Sequence, residues 1–157
     1  MKHTIQALVE NRFGVLARVA SLFSARGYNI DSLAVGETQD PAVSCMTFVV
    51  NAEDERILEQ IKKQLSKLID VITVVDFIKK DYIDRELLLV KVNRSSKSKE
   101  IFSKLKKELN VKILEEKDSY AVIEFAGDHN QINFFLDELK PLGVKELVRT
   151  GKVAITK

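Results

Sequence analysis

Tryptophan is missing from the 157 residues, cysteine occurs once, and proline and histidine twice each. A lone Cys45 has no partner for an internal disulfide and no second thiol for a metal site. Inside the apolar run AVSCMTFVV it reads as a small core residue. His3 and His129 make no histidine cluster and read as ordinary surface or strand residues, so neither a catalytic triad nor a histidine-bound metal is indicated. Long hydrophobic runs are also missing, since no stretch approaches the roughly 20 apolar residues of a membrane span. The opening MKHTIQALVE lacks the basic, then apolar, then small-residue order of a signal peptide, which makes a soluble, cytoplasmic chain the expectation. Nor does one charge dominate. The 25 basic and 23 acidic side chains leave a net charge of +2, with 10 of each sign in residues 1–80 and 15 against 13 in residues 81–157. Such a balance offers no general attraction to nucleic acid.

What is present is a repeated pattern. With 45% hydrophobic residues the chain can bury one ordinary core or two small ones. Residues 4–9 alternate with Ile5, Ala7 and Val9 on one side, as a half-buried strand does. Leu16, Val19, Ala20 and Phe23 then form a helical stripe closed by Arg26 and Gly27. Residues 28–35 and 43–50 predict a hairpin around GETQDPA, and Asn51 is placed to cap a second helix carrying Ile57, Leu58, Ile61, Leu65 and Leu68. Val71, Thr73, Val75 and Phe77 alternate again. The charged segment KKDYIDRE, residues 79–86, marks a boundary.

The same order follows once more. A strand over 87–92 precedes a helix with Ile101, Phe102, Leu105 and Leu109, strands over 111–113 and 120–126, and a helix opened by Asp128 and Gln131 as a capping box. A last strand over 144–148 is extended by GKVAIT. The expectation is an α+β protein of two tandem ferredoxin-like βαββαβ units, 1–79 and 80–157. Each such unit has both helices on one face of an antiparallel sheet. The other face and an edge then need cover, and a homodimer is the expected remedy.

Between the first strand and first helix lies ENRFGVL. Helix-start amides lack intrahelical partners and carry the positive end of the dipole, so a carboxylate suits them. Gly14 would let a ligand approach the amides of Gly14, Val15 and Leu16, and Asn11 can both donate and accept. Leu16, Ile30 and Val35 could enclose an aliphatic side chain, with Asn29 and Asp31 as polar neighbours. An Asn and a Gly after a strand are commonest as plain turn and cap residues, and Asn29 and Asp31 also suit solvent-facing strand positions.

The stretch LVENRFGVLARVASLFSARGYNIDSLAVG resembles the opening of acetohydroxyacid (acetolactate) synthase small subunits, an ACT-domain signature. DPAVSCMTFVV, LEQIKKQLSKLIDVITVVDF, RELLLVKV and ELVRTGKVAIT continue the likeness in the same order. The resemblance makes residues 1–79 an ACT domain and implies a non-catalytic regulatory subunit of branched-chain amino-acid biosynthesis. Such a chain binds and activates a large catalytic subunit, which carries thiamine diphosphate, magnesium and FAD and forms acetolactate from pyruvate. It also confers feedback inhibition by valine, with leucine or isoleucine as alternatives. No cofactor is implied on this chain. Carried over, the effector site takes Asn11, Gly14, Val15 and Leu16 from one protomer, and Asn29 and Ile30 from the other. The likeness weakens over residues 93–120, where Ser103 follows Phe102 in place of the usual arginine and the loop is shortened. Lys97, Lys99, Lys104, Lys106 and Lys107 there read as a solvated helix face, with a contact surface for the catalytic subunit as the alternative.

Three other readings fit parts of the sequence. A stand-alone ACT-type sensor would regulate some other partner. A small acyl-phosphate hydrolase would use Arg12 and Asn29, but Gly14 stands alone where such an enzyme wraps phosphate in glycines. An RNA-binding sheet would need paired aromatics, and Thr4, Gln6, Leu8, Met46, Phe48 and Val50 offer none.

Overall fold

The computed structural model describes residues 2–52, 55–78 and 80–157. The chain divides into two compact units, Met1–Ile83 together with Lys152–Lys157, and Asp84–Gly151. In the first, β1 (Lys2–Glu10), α1 (Val15–Ser24), β2 (Ile30–Glu37), β3 (Val43–Asn51), α2 (Glu55–Leu65) and β4 (Val71–Asp76) build an antiparallel sheet of order β2-β3-β1-β4. Ile5, Ala7 and Val9 of β1 pair opposite Phe48, Met46 and Ser44, so alternate residues of the two strands share the helix-covered face. The core there joins Val15, Val19, Phe23, Leu58, Ile61 and Leu65 to the sheet, and the Phe23 and Phe48 rings stack with centroids 5.3 Å apart.

The second unit repeats the scheme with most of β5 (Tyr82–Asn93), and with α3 (Ser98–Leu109), β6 (Lys112–Glu116), β7 (Tyr120–Gly127), α4 (His129–Leu139) and β8 (Val144–Arg149). Its strand order is β6-β7-β5-β8, again antiparallel. Asp128 caps α4 in a full capping box with Gln131, as the sequence predicts. The lysines of α3 are exposed, and Lys104 reaches Glu138 of α4 at 2.8 Å.

Several expectations are corrected. The stripe Leu16, Val19, Ala20, Phe23 is displaced around α1, since Val15, Val19, Leu22 and Phe23 are buried while Leu16 and Ala20 are exposed. Both stripes are apolar at helical spacing, so periodicity alone could not choose between them. Asn51 is the last residue of β3, and residues 53–54, which lead into α2, lie outside the described residues. The boundary expected within residues 79–86 falls between Ile83 and Asp84, inside β5, which already begins at Tyr82, and Lys79 lies outside the described residues. Met46, Phe48 and Val50 face the helices, leaving Cys45, Thr47 and Val49 for the outer face, where the aromatic contact is Phe77 on Tyr82, with Phe77 buried at 3% exposure and not open as a stacking platform. Cys45 is half-buried on that outer face, where burial pushes its thiol up against the opposing hydrogen bonds of Thr47 and Gln6.

The division 1–79 and 80–157 also differs from the compact units. GKVAIT does not extend β8. It makes a separate strand, β9 (Val153–Thr156), which pairs with β5 and groups with the first unit. The Lys152 N–H donates to Ser32 Oγ and Gln6 Nε2 donates to the Ala154 carbonyl, both at 3.0 Å, so the tail lies on the outer face of the first sheet. Part of the face expected to need a partner is thus covered by the chain itself. The outer edge of β2 is not paired within the sheet.

Lys62 of α2 bonds both Asp76 and Glu59, and these bonds, Asp76 first, raise its ammonium above the usual value. Burial pushes the Asp76 carboxyl up, but the bond and charge of Lys62 outweigh it and hold the carboxyl below the ordinary aspartate range. A depressed carboxylate stabilises fully above about pH 3.9 and loses this contribution as pH falls through its folded pKa. Asp76→Asn is therefore expected to lower the urea midpoint at pH 7, with the gap from the parent closing near pH 2. An equal gap at both pH values would mean that the ion pair contributes nothing.

No helix among the described residues is long and apolar enough to cross a membrane.

Candidate functional site

The chain turns from β1 into α1 through Asn11, Arg12, Phe13 and Gly14. Gly14 is the N-cap of α1 at φ 81°, in the left-handed region, and its carbonyl accepts the Arg18 N–H at 3.0 Å. That conformation is why glycine stands here. The Val15 N–H turns back to the Arg12 carbonyl at 3.3 Å, so it is less free than the sequence suggests. Leu16 and Ala17 carry first-turn amides that have no acceptor within the helix.

Asn11 spends both carboxamide hydrogens on its own chain. Its Nδ2 donates to Glu37 Oε1 at 3.1 Å and to the Pro41 carbonyl at 2.9 Å, and its backbone N–H reaches the Ala42 carbonyl at 2.7 Å. The loop is thereby tied to the end of β2 and the start of β3. Toward a ligand Asn11 offers its Oδ1 acceptor, beside the carboxylate of Glu37. Val15 is buried in the core, whereas Leu16 is 45% and Val35 47% exposed.

Asn29 and Ile30 are elsewhere. Ile30 pairs with Val50, which pairs with His3, while Glu37 pairs with Ser44, which pairs with Val9. Six residues of β1 separate these two rows, about 20 Å at strand rise. One protomer therefore does not bring Asn11 and Gly14 together with Asn29 and Ile30. Asn29 Nδ2 donates to Asp31 Oδ1 at 2.7 Å, and Lys2 Nζ lies 3.3 Å from the other oxygen of Asp31. The same separation parts Arg12 from Asn29, and Arg12 Nε is bonded to Glu10 at 3.0 Å. The hydrolase reading loses its geometry within the chain.

Two residues that sequence reasoning missed support the loop. Arg18 Nε bonds Asp70 Oδ2 at 2.7 Å, and the Asp70 carbonyl accepts the Glu10 N–H at 2.8 Å. The Arg18 guanidinium also lies beside Gly14, with Nη1 3.1 Å from where a Cβ would stand. The available signal was the i,i+4 spacing, because a helical side chain leans back over the preceding turn. Asp70 had no sequence signal, being one acid in a loop. A cleft of about 460 Å³ on α1 and α2, lined by Arg18, Ser21, Arg26, Gln64 and Lys67 among others, contains none of the six predicted effector residues.

Residues 5–73 match the family model described as an AHAS small subunit-like ACT domain, and residues 85–157 that of the small subunit of acetolactate synthase. The chain belongs to the acetolactate synthase small-subunit family. It is 43% identical to a probable acetolactate synthase small subunit of Archaeoglobus fulgidus, over all of this chain and 98% of that one. With the acetolactate synthase small subunit of Bacillus subtilis it shares 38% identity, over all of this chain and 91% of that protein. The crystal structure of the acetolactate synthase small subunit from Thermotoga maritima superimposes with a TM-score of 0.88 at 34% identity, covering 100% of this chain and 98% of that one. The ACT-type first unit and the two ferredoxin-like units are those of this family. As a small subunit of acetolactate synthase, the chain has a catalytic subunit as its partner.

Proposed function

We propose that the chain is a cytoplasmic homodimer that activates the catalytic subunit of acetolactate synthase and makes it sensitive to valine. In this reading thiamine diphosphate, magnesium and FAD are held by the catalytic subunit. The observation that carries it is the strand register. Asn11 and Gly14 lie at one end of the first sheet, and Asn29 and Ile30 at the other end, beside the unpaired edge of β2.

Antiparallel pairing of two copies along β2 brings the Asn29 end of one to the Gly14 end of the other and makes two equivalent sites by two-fold symmetry. It would also cover Leu16, Ala20 and Val35, which α1 and β2 leave exposed. Within each site the roles divide by chemistry. First-turn amides of α1 take the valine carboxylate, Asn11 Oδ1 and Glu37 take its ammonium, and Leu16 with Ile30 of the other copy encloses its side chain. Inhibition requires valine to bind one arrangement of the assembly more tightly than another. A coupling of about 1–3 kcal/mol corresponds to roughly 5- to 150-fold.

Calorimetric titration of the purified chain with valine, against leucine, isoleucine and lysine, is the test. Saturable valine binding with about two sites per dimer, together with valine inhibition of the reconstituted enzyme, is expected. A reconstituted enzyme that valine neither binds nor inhibits would reject the sensor reading and leave an activator.

A further inference from the structure

We propose that Phe13 and Ile69 are the anchors by which the first unit docks on the catalytic subunit. The inference rests on the chain's being the small subunit of a two-component enzyme, and not on valine binding. Among the described residues Phe13 is fully exposed and Ile69 is 94% exposed, while no other large apolar side chain passes 65%. Neither side chain supports the fold that presents it. Both nonetheless stand on a braced platform. Ile69 lies in the loop between α2 and β4, next to Asp70, which is 6% exposed and bonds both Arg18 and the backbone of Glu10. Phe13 lies in the loop between those two partners. Two large apolar side chains held out by fixed loops are what an interface anchor requires, because little conformational freedom is lost when they are buried.

The surrounding charges say what kind of partner fits. Arg12 is paired with Glu10 and Arg18 with Asp70, so the platform presents neutralised pairs around apolar knobs. An apolar pocket on a protein suits that surface, and a polyanion does not. Strand order separates Ile69 from the proposed dimer seam. Ile69 and the half-exposed Ile72 belong to the β4 edge, and β2 is the opposite edge of the sheet. A second copy paired along β2 therefore leaves the β4 edge to a different chain. Phe13 also immediately precedes the Gly14 cap, so a catalytic subunit gripping it holds the loop that an effector would occupy.

The experiment compares the parent chain with Phe13→Ala, Ile69→Ala and the double variant, each added in increasing amounts to the isolated catalytic subunit while acetolactate formation is followed. Both sites are exposed, so melting temperature and self-association are expected to stay at parent values. The concentration giving half-maximal activation should rise by at least about 30-fold in the double variant. Val148→Ala, which trims an exposed apolar residue of the second unit, should leave it unchanged. Parent-like activation by the double variant would overturn the assignment, as would an equal loss in Val148→Ala. Loss of self-association with activation intact would assign the surface to a second copy and overturn it too. Valine titration of the double variant separates this proposal from the sensor reading, since binding should persist.

Discussion

Gly14→Asp is expected to weaken valine binding by at least about 100-fold, or roughly 2.8 kcal/mol at 1.4 kcal/mol per decade, while the chain still folds. The new carboxylate would occupy the space in front of the first turn of α1, where the effector carboxylate is proposed to sit, and would repel it. It would also offer the Arg18 guanidinium, 3.1 Å from the added Cβ, a partner other than Asp70. The left-handed backbone at φ 81° makes any side chain strained, by about 1–2 kcal/mol, although aspartate tolerates that region better than most residues. Calorimetry with valine and a thermal melt of the same sample separate the two effects. Parent-like affinity would place the effector somewhere other than at this cap. A chain that no longer melts cooperatively would show instead that the loop is structural before it is functional.

Phe48→Ala should cost about 3–5 kcal/mol, a large share of the roughly 5–15 kcal/mol that holds a domain folded. Phe48 is fully buried, stacks on Phe23, and stands at the centre of β3, the strand between β2 and β1. Truncation leaves a cavity against three core elements that cannot all collapse into it. Phe13→Ala, by contrast, should change stability by no more than about 0.5 kcal/mol, because the ring touches little but solvent. Urea unfolding of the two variants side by side is the measurement. Similar losses in both would mean that Phe13 is packed in solution, against a second copy of the chain.

Most of the fold was legible because its signals are local. Alternation in residues 4–9, the face of Leu58, Ile61 and Leu65, and the Asp128–Gln131 capping box each depend on neighbours within a few residues. The errors came where two local answers were equally good. α1 is apolar on two adjacent faces, and only packing against the sheet selected Val15 and Leu22 over Leu16 and Ala20. Residues 79–86 are charged enough to mark the boundary, which falls between Ile83 and Asp84, but their composition does not show that strand β5 already begins at Tyr82, because the ladder fixes a strand. For the candidate site, the sequence located the loop and its glycine. It did not locate Arg18 and Asp70, which are 52 residues apart and meet only once α1 and the loop before β4 are folded.

By itself, then, the sequence determined two βαββαβ units, a glycine at the mouth of the first helix, and the family to which this order of motifs belongs. These follow from periodicity, turn chemistry and collinear likeness, all carried by residues close together in the chain. Tertiary structure decided the rest: which face of α1 is core, that the tail Lys152–Lys157 returns to the first sheet, and that Asn11 and Asn29 lie at opposite ends of that sheet. It also decided that Phe13 and Phe48, chemically identical, sit one in water and one in the core. Burial and register arise from pairings between distant segments, and a residue's type does not specify which distant segment will meet it.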